Sequence, residues 1–447
     1  MPALRPASRG PATMLWLYRI LFLPGLLLLA PAYLWRMRRR GGYRDNFAHR
    51  FGGHPGLPQR RPGVRRVWLQ AVSVGELLAI ESMVDALVAA GDVEVYLTTT
   101  TSTGYRIALE RYPQRTIGIG YFPLDWWLFS RRAWAKIKPD LVILTEGERW
   151  PEHIHQAAAR GVPVLGINAR LSDRSFRRMR RFPAASRLML EGITRLLPCS
   201  AQDAVRFREL GFPAERLTTT GNVKLDVAIP PLGEVERAAL RRELGLPAGL
   251  VLMGASTWPG EETALVAALR RGRTEGHACA LLLVPRHAER RAELERLLAD
   301  SGLRVHFRSR GAAAGEVDVA VADTTGELRR LLQLADLVFV GKSLPPHTEG
   351  QTPVEAAALE KPILLGPGMG NFRLIARDLL ARHAARPVAD AAALADAAAE
   401  LLGDAAARGQ LAAAAGEWRR DNAGAAERTL AVIRAELAKL GPAPLRP

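Results

Sequence analysis

Two short stretches place carboxylates next to small or hydroxyl-bearing residues, where a proton could be taken from an acceptor hydroxyl. The first, Ala71-Val72-Ser73-Val74-Gly75-Glu76, ends an apolar run and is followed by LLAIESMVDALVAA, which has amphipathic helical spacing. Ser73 suits the helix N-cap, and Gly75 lets a ligand approach the backbone. Glu76 lies three residues after Ser73, which by itself makes a capping box. The same carboxylate, in the first helical turn, can also serve as a general base. In the second stretch, Thr145-Glu146-Gly147-Glu148-Arg149-Trp150-Pro151, two acids end an apolar run before a proline suited to a helix start. Glu146 and Glu148 read either as acids that orient an acceptor or as partners of a helix N-terminus and a nearby arginine.

Downstream, Asn168-Ala169-Arg170-Leu171-Ser172 leads into a run containing Arg174, Arg177, Arg178, Arg180 and Arg181. Such a run is commonly a solvated face; it also suits anionic headgroups or a phosphorylated acceptor. In the second half of the chain the motifs favour anion binding. Gly254-Ala255-Ser256-Thr257-Trp258-Pro259-Gly260-Glu261-Glu262 offers small residues, hydroxyls and a helix start. Arg286 and His287 follow Val284-Pro285, a fixed cation and a titratable ring suited to a phosphate leaving group. Gly326-Glu327 opens a helix after Asp323. Gly341-Lys342-Ser343-Leu344 runs through His347 and Gln351 to Thr352 and Glu355, so its backbone N–H groups are expected to hold phosphate and Glu355 to accept from ribose hydroxyls. The sequence has no Asp-x-Asp pair, Walker A loop, G-x-S-x-G elbow or zinc-type cluster, so neither a metal nor a cofactor is expected.

Positioning these loops requires a layered scaffold. Apolar runs alternate with amphipathic stretches at the spacing of βα units, which predicts parallel sheets covered by helices. Strands are expected near 67–72, 93–97, 116–121, 141–144, 162–167 and 195–198, then near 250–253, 279–284, 317–321, 337–340 and 362–365. The Pro-bearing segment 227–247 reads as a linker between a first domain over 41–226 and a second over 248–447. In doubly wound folds ligands sit beyond the carboxyl ends of the strands, where the motifs above fall.

The 447 residues are 48% hydrophobic and 24% charged, a globular composition with room for two domains. Cys199 and Cys279 are isolated, which excludes a disulfide framework. A net charge of +17 implies an anionic partner, although arginine-rich drift in composition contributes to it. From Met14 to Leu34 the sequence is apolar over a bilayer-spanning length, interrupted by Arg19, Pro24, Gly25 and Pro31. Trp16, Tyr18, Tyr33 and Trp35 lie near its ends, and Arg36, Arg38, Arg39 and Arg40 follow. The segment, with its basic flank over 1–40, is expected to be an uncleaved anchor that keeps the rest of the chain in the cytoplasm, spanning the bilayer or lying partly embedded in it.

Taken together, the motifs resemble the 3-deoxy-D-manno-octulosonic acid (Kdo) transferases that act on lipid A precursors. The resemblance rests on SVGE at 73–76, TEGERWP at 145–151, INARLSDRS at 167–175, GNVKLD at 221–226, GASTWPGEE at 254–262, PRHAER at 285–290, and GKSL followed by QTPVEAAALEKP and GP. It implies an α/β, GT-B fold, two Rossmann-like domains facing across a cleft, with an N-terminal membrane anchor. It further implies a CMP-Kdo donor, a lipid A precursor (lipid IVA) as acceptor at the cytoplasmic-side bilayer surface of the inner membrane, inversion without a metal, and no nucleic-acid partner. Glu76 matches the family's general base, and Glu148 with Glu146 its second acidic site. Ser73, Gly75, Arg170, Arg174, Arg177 and Arg178 fall on the acceptor side. Ser256, Arg286, His287, Gly326, Glu327, Ser343, Thr352 and Glu355 fall on the nucleotide side, with Lys224 and Lys342 as further candidates. Three departures from the pattern concern the CMP contacts: Trp258 replaces a common histidine, Lys342 a frequent glycine, and PPHTEGQT is longer than usual, with Gln351 for histidine. Two other readings are a GT-B transferase using a UDP-sugar on a lipid acceptor and a non-enzymatic basic membrane-binding protein; protection by CMP rather than UDP separates the first, and salt-labile binding indifferent to the acids marks the second.

Overall fold

The computed structural model describes residues 10–39, 45–227 and 229–441, without the side chains of 10–12, 33, 34 and 36–39. Arg40 and the side chains of Tyr33, Arg36, Arg38 and Arg39 therefore lie outside the described residues. The chain forms two units, Met1–Asp226 with Gly424–Pro447, and Val227–Ala423.

The first unit is built on strands β1 (Arg65–Gln70), β2 (Val93–Thr99), β3 (Gly118–Tyr121), β4 (Leu141–Thr145), β5 (Val164–Ala169) and β6 (Arg195–Pro198). All pair in parallel, in the order β3-β2-β1-β4-β5-β6. This is the doubly wound order, with the strand direction of winding reversing between β1 and β4. Burial on both faces explains the nearly continuous apolar runs. Val67 and Leu69 point to one side, where Leu77, Ile80 and Val84 of the helix Val74–Val88 cover them. Trp68 points to the other, against Phe122 and Trp134.

The second unit has seven parallel strands: β7 (Leu250–Thr257), β8 (Cys279–Pro285), β9 (Val305–Phe307), β10 (Val319–Val321), β11 (Leu337–Val340), β12 (Ile363–Leu365) and β13 (Arg386–Pro387). Their order is β13-β12-β11-β7-β8-β10-β9, so β7 lies between β11 and β8. Leu252, Leu281, Val319 and Phe339 form the sheet side of one core, covered by Leu265 and Leu269 from one helix and Leu394 and Leu401 from another. The segment expected as a linker contains a helix, Glu234–Glu243, whose Leu240 is buried.

The expectation for the C-terminal end changes. The last helix, Ala425–Ala438, does not belong with the second unit. Its Ile433 and Leu437 fill the first unit's core, and the Asp226 carboxylate accepts from Gly424 N at 3.0 Å and Ala426 N at 2.7 Å, capping its start. At the other end, Gly10–Arg39 is one helix despite Pro24 and Pro31. Among the described residues it alone, over Thr13–Ala32, is long and apolar enough to cross a membrane. Arg19 does not break this surface, because its guanidinium meets the buried Glu152 carboxylate at 2.7 and 3.1 Å. Tyr18 donates to Asp125 at 2.7 Å beside it, so the helix is docked on the first unit at this level.

Candidate active site

In the first unit the candidate acids meet at the switch point, because the Ser73–Glu76 loop follows β1 and the Glu146–Glu148 loop follows the adjacent β4. The capping box is present: Ser73 caps Val74–Val88 by accepting from Glu76 N, and its own hydroxyl donates to Glu76 Oε1 at 2.9 Å. Glu76 Oε2 accepts from Val72 N at 2.9 Å and from the Thr145 hydroxyl. A carboxylate offers about four lone-pair positions, so these three donors fix the group and leave about one position for a ligand hydroxyl. The capping and catalytic readings are therefore compatible. A Cβ on Gly75 would meet nothing nearer than Lys224 at 3.9 Å, so the loop has open space above it.

Glu146 and Glu148 differ in surroundings despite their spacing. Glu146, in a left-handed backbone conformation, is ion-paired with Lys224 and lies 3.3 Å from Arg170 Nε. It thus ties the segment GNVKLD and the loop after β5 to the end of β4. Asn168 completes the tie by accepting from Val223 N at 3.1 Å. Among the described residues no cation is ion-paired with Glu148; Trp150 Nε1 donates to it at 2.5 Å. Burial, reinforced by the neighbouring Glu76 and Glu146 charges, pushes its pKa up to about 7 despite that bond. A carboxyl that titrates near neutral pH beside an anchored carboxylate is suited to proton handling. Arg174, Arg177 and Arg178 lie exposed on the helix Asp173–Arg181, and of the three only Arg178 lines the cavity near Gly147 and Arg149.

In the second unit the loops after β7, β8 and β11 converge around Trp258. Lys342 Nζ sits 4.0 Å from its ring centroid, His287 packs edge-on at 5.3 Å and His347 at 5.9 Å. Ser256 is left-handed at the end of β7, and Gly341 passes so close that a Cβ there would lie 2.3 Å from Ser256 O. Arg286 is exposed next to His287. Glu355 has one oxygen 3.6 Å from Arg329 and the other buried without a hydrogen-bond partner among the described residues, while Thr352 accepts from Val354 N at 3.2 Å. Those features suit a nucleotide monophosphate: cations for its phosphate and an acceptor for its ribose.

Three nucleotide-side groups already have partners inside the protein. The N–H groups of Lys342, Ser343 and Leu344 are not open to phosphate, because the buried Glu261 carboxylate accepts from them at 2.8, 2.8 and 3.1 Å, and from Trp258 N at 2.9 Å. Ser343 is fully buried; its hydroxyl donates to Val340 O at 2.6 Å and accepts from Gly366 N at 3.0 Å, so it supports the loop from inside. Glu327 is held by Arg308 at 2.7 and 2.8 Å, which makes it a brace, while Gly326 beside it is exposed and left-handed. Among the described residues, no group of three or more His, Cys, Asp or Glu side chains is arranged to hold a metal ion.

Residues 45–227 match the family model described as 3-deoxy-D-manno-octulosonic-acid transferase (kdotransferase). The chain is 35% identical over 425 residues to a 3-deoxy-D-manno-octulosonic acid transferase of Bordetella pertussis, covering 92% of this chain and 96% of that one. The chain belongs to the Kdo transferase family. The 3-deoxy-D-manno-octulosonic acid transferase of Haemophilus influenzae is 30% identical over 400 residues, covering 88% and 91% of the two chains. The fold is shared with a UDP-GlcNAc 2-epimerase from Neisseria meningitidis solved bound to UDP-GlcNAc, at a TM-score of 0.54, 12% identity, and 84% and 100% coverage.

Within this Kdo transferase family member, three roles had no place in the sequence reading. Thr145 reaches Glu76 from β4, Glu261 fills the backbone amides of the β11 loop, and Arg149 stacks over Phe207 with its ring-to-guanidinium distance at 5.3 Å. Glu261 had a local signal, lying three residues after Trp258 at a helix start. Thr145 and Arg149 had none, because their partners come from distant strands and helices.

Proposed function

We propose that the chain transfers Kdo from CMP-Kdo to a lipid A precursor, lipid IVA, during assembly of the lipopolysaccharide core. The observation that carries the reading is the meeting of Glu76 and Glu148 at the switch point, with one lone-pair position of an otherwise fully anchored Glu76 left for an acceptor hydroxyl. In the proposed step the hydroxyl oxygen attacks the anomeric carbon of Kdo while the bond from that carbon to the CMP phosphate oxygen breaks. The proton passes to Glu76, and CMP leaves as its anion. Attack opposite the leaving group inverts the anomeric configuration. Glu148 tunes the proton balance, and Glu146 with Lys224 and Arg170 positions the acidic loop.

On the donor side, Arg286, His287 and Lys342 supply charge for a single phosphate, and Glu355 accepts from ribose hydroxyls. A monophosphate leaving group needs less neutralisation than a diphosphate, which supports a reaction without a metal. The docked Gly10–Arg39 helix, with Trp16, Leu17, Ile20, Leu28 and Leu29 exposed, serves in this reading as the anchor in the inner membrane. The arginines at its C-terminal flank favour the cytoplasmic side. The test is thermal unfolding with nucleotides: CMP raises the midpoint and UDP does not, because only a ligand of the native state stabilises it. Protection by UDP alone would favour a UDP-sugar donor.

A further inference from the structure

The three places where the sequence departs from the Kdo transferase pattern lie far apart in the chain and meet in the second unit. Trp258 follows β7, Lys342 follows β11, and His347 and Glu349 belong to the longer PPHTEGQT segment. Lys342 Nζ stands 4.0 Å from the Trp258 ring centroid and 3.4 Å from Glu349 Oε1. His347 packs 5.9 Å from the same ring, and its Nε2 lies 3.0 Å from Pro259 O. Departures that touch one another point to one task shared by the group.

The backbone makes glycine the less costly residue at position 342. Lys342 is left-handed, with φ 58°, a conformation whose cost glycine does not incur. It is pinned there, because its N–H donates to Glu261 at 2.8 Å and its carbonyl accepts from Gly350 N at 2.9 Å. A lysine kept at such a position implies a use for its ammonium. The face of Trp258 holds that charge in place, and 18% of the side chain stays exposed. Its ion-pair partner among the described residues, Glu349, is 47% exposed, and a pair so open to water is weak enough for a ligand anion to displace. A protein carboxylate thus stands where a ligand carboxylate can bind.

The donor of the proposed reaction carries two anionic groups. As an ulosonic acid, Kdo has a carboxylate on the carbon bonded to its anomeric carbon, and in CMP-Kdo the phosphate is bonded through oxygen to that same anomeric carbon. Two cationic positions set apart by one ring suit such a pair. Arg286 and His287 follow β8, Lys342 follows β11, and β7 with Trp258 after it lies between them. His287 meets Trp258 edge-on at 5.3 Å while Lys342 lies over its face. The arginine fork matches phosphate, and the compact ammonium is a point charge for a carboxylate.

We propose that Lys342, held over Trp258, binds the carboxylate of the Kdo moiety and so selects a sugar-acid donor, with Arg286 and His287 on the phosphate. The inference rests on the proposed CMP-Kdo donor and adds the contact that separates this donor from CMP and from a neutral sugar nucleotide. Glu349 holds the ammonium until the donor displaces it.

The test compares the KM for CMP-Kdo with the inhibition constant of CMP, which has the phosphate and lacks the carboxylate, in the purified full chain with a lipid A precursor in detergent micelles. Lys342→Gly suits the left-handed backbone, so its unfolding midpoint should not fall. In that variant KM for CMP-Kdo should rise at least about tenfold, while the CMP constant stays within about twofold. Lys342→Arg, which keeps a cation, should recover most of the loss. Glu349→Gln, which frees the ammonium, should lower KM for CMP-Kdo by roughly twofold to fivefold, the worth of an exposed ion pair. An equal rise of both constants in Lys342→Gly would overturn the proposal by assigning Lys342 to the phosphate, and an unchanged KM would remove Lys342 from donor binding. A wild type that takes no CMP-Kdo at all would instead overturn the donor reading on which the proposal rests.

Discussion

Each unit places a glutamate in the first turn of the helix that follows the central strand of its sheet, yet Glu76 and Glu261 are put to opposite uses. Glu76 is held by one backbone N–H and two hydroxyls, Ser73 and Thr145, beside a second carboxyl, Glu148. Glu261 accepts from four backbone N–H groups of two loops and is 1% exposed. Four fixed amides consume a carboxylate's acceptor capacity and make it structural, whereas three donors leave room for a substrate proton. The lesson is that a first-turn acid is assigned a role by what has already claimed its lone pairs. Position in the motif does not decide it.

The comparison can be broken at each end. Glu76→Gln keeps the shape and an acceptor for Val72 N and Thr145 but removes the basicity, so transfer should fall by roughly 10²- to 10⁴-fold. CMP protection and the unfolding midpoint should change little; normal turnover in this variant would remove Glu76 from the chemistry. Glu261→Ala should do the reverse, leaving four amides without an acceptor, each at a cost of about 1–3 kcal/mol. Differential scanning calorimetry should then show a much lower transition and weakened CMP binding, and an unchanged midpoint would mean the amides find water instead.

A smaller effect belongs to the N-terminal helix. Arg19→Met leaves the Glu152 carboxylate, 0% exposed, without its cation, a loss of about 3–5 kcal/mol for a broken buried pair. The first unit should unfold earlier, and Glu152→Gln in the same chain should restore much of the loss. If the single variant is as stable as wild type, the helix is a loose tether. The smallest effect sharpens the Glu76–Glu148 pair. Because the Glu148 pKa is raised in the fold, its neutral form is favoured, and stability present below the ordinary value of 4.5 is lost as pH rises through about 7. Glu148→Gln should therefore gain in melting temperature relative to wild type between pH 5 and pH 8. A constant difference across that range would mean that Glu148 ionises normally.

Much of this was legible in the sequence because it was local or periodic. The runs around Val67–Val72, Val93–Leu97 and Leu141–Leu144 mark central strands whose two buried faces leave little polar interruption. The edge strands β9 and β13 were not legible, since three and two residues including His306 and Arg386 carry no pattern. The Ala425–Ala438 helix has an ordinary amphipathic sequence, and nothing local says that its apolar face completes the first core. At the site, the Ser73–Glu76 box was visible from its spacing, but the occupation of the Gly341–Leu344 amides by a side chain 82 residues away from Ser343 was not. Arg149 likewise reads in sequence as an arginine near two acids, whereas its guanidinium lies over the ring of Phe207.

The central claim is most directly tested by mass spectrometry of the lipid product formed by the purified full chain from CMP-Kdo and a tetra-acylated, phosphorylated lipid A precursor. The account predicts a product heavier than the acceptor by one or more Kdo residues, formed with CMP-Kdo, not formed with a UDP-sugar, and lost in Glu76→Gln. An unmodified acceptor after incubation with CMP-Kdo, or equal product from the Glu76→Gln chain, would contradict it.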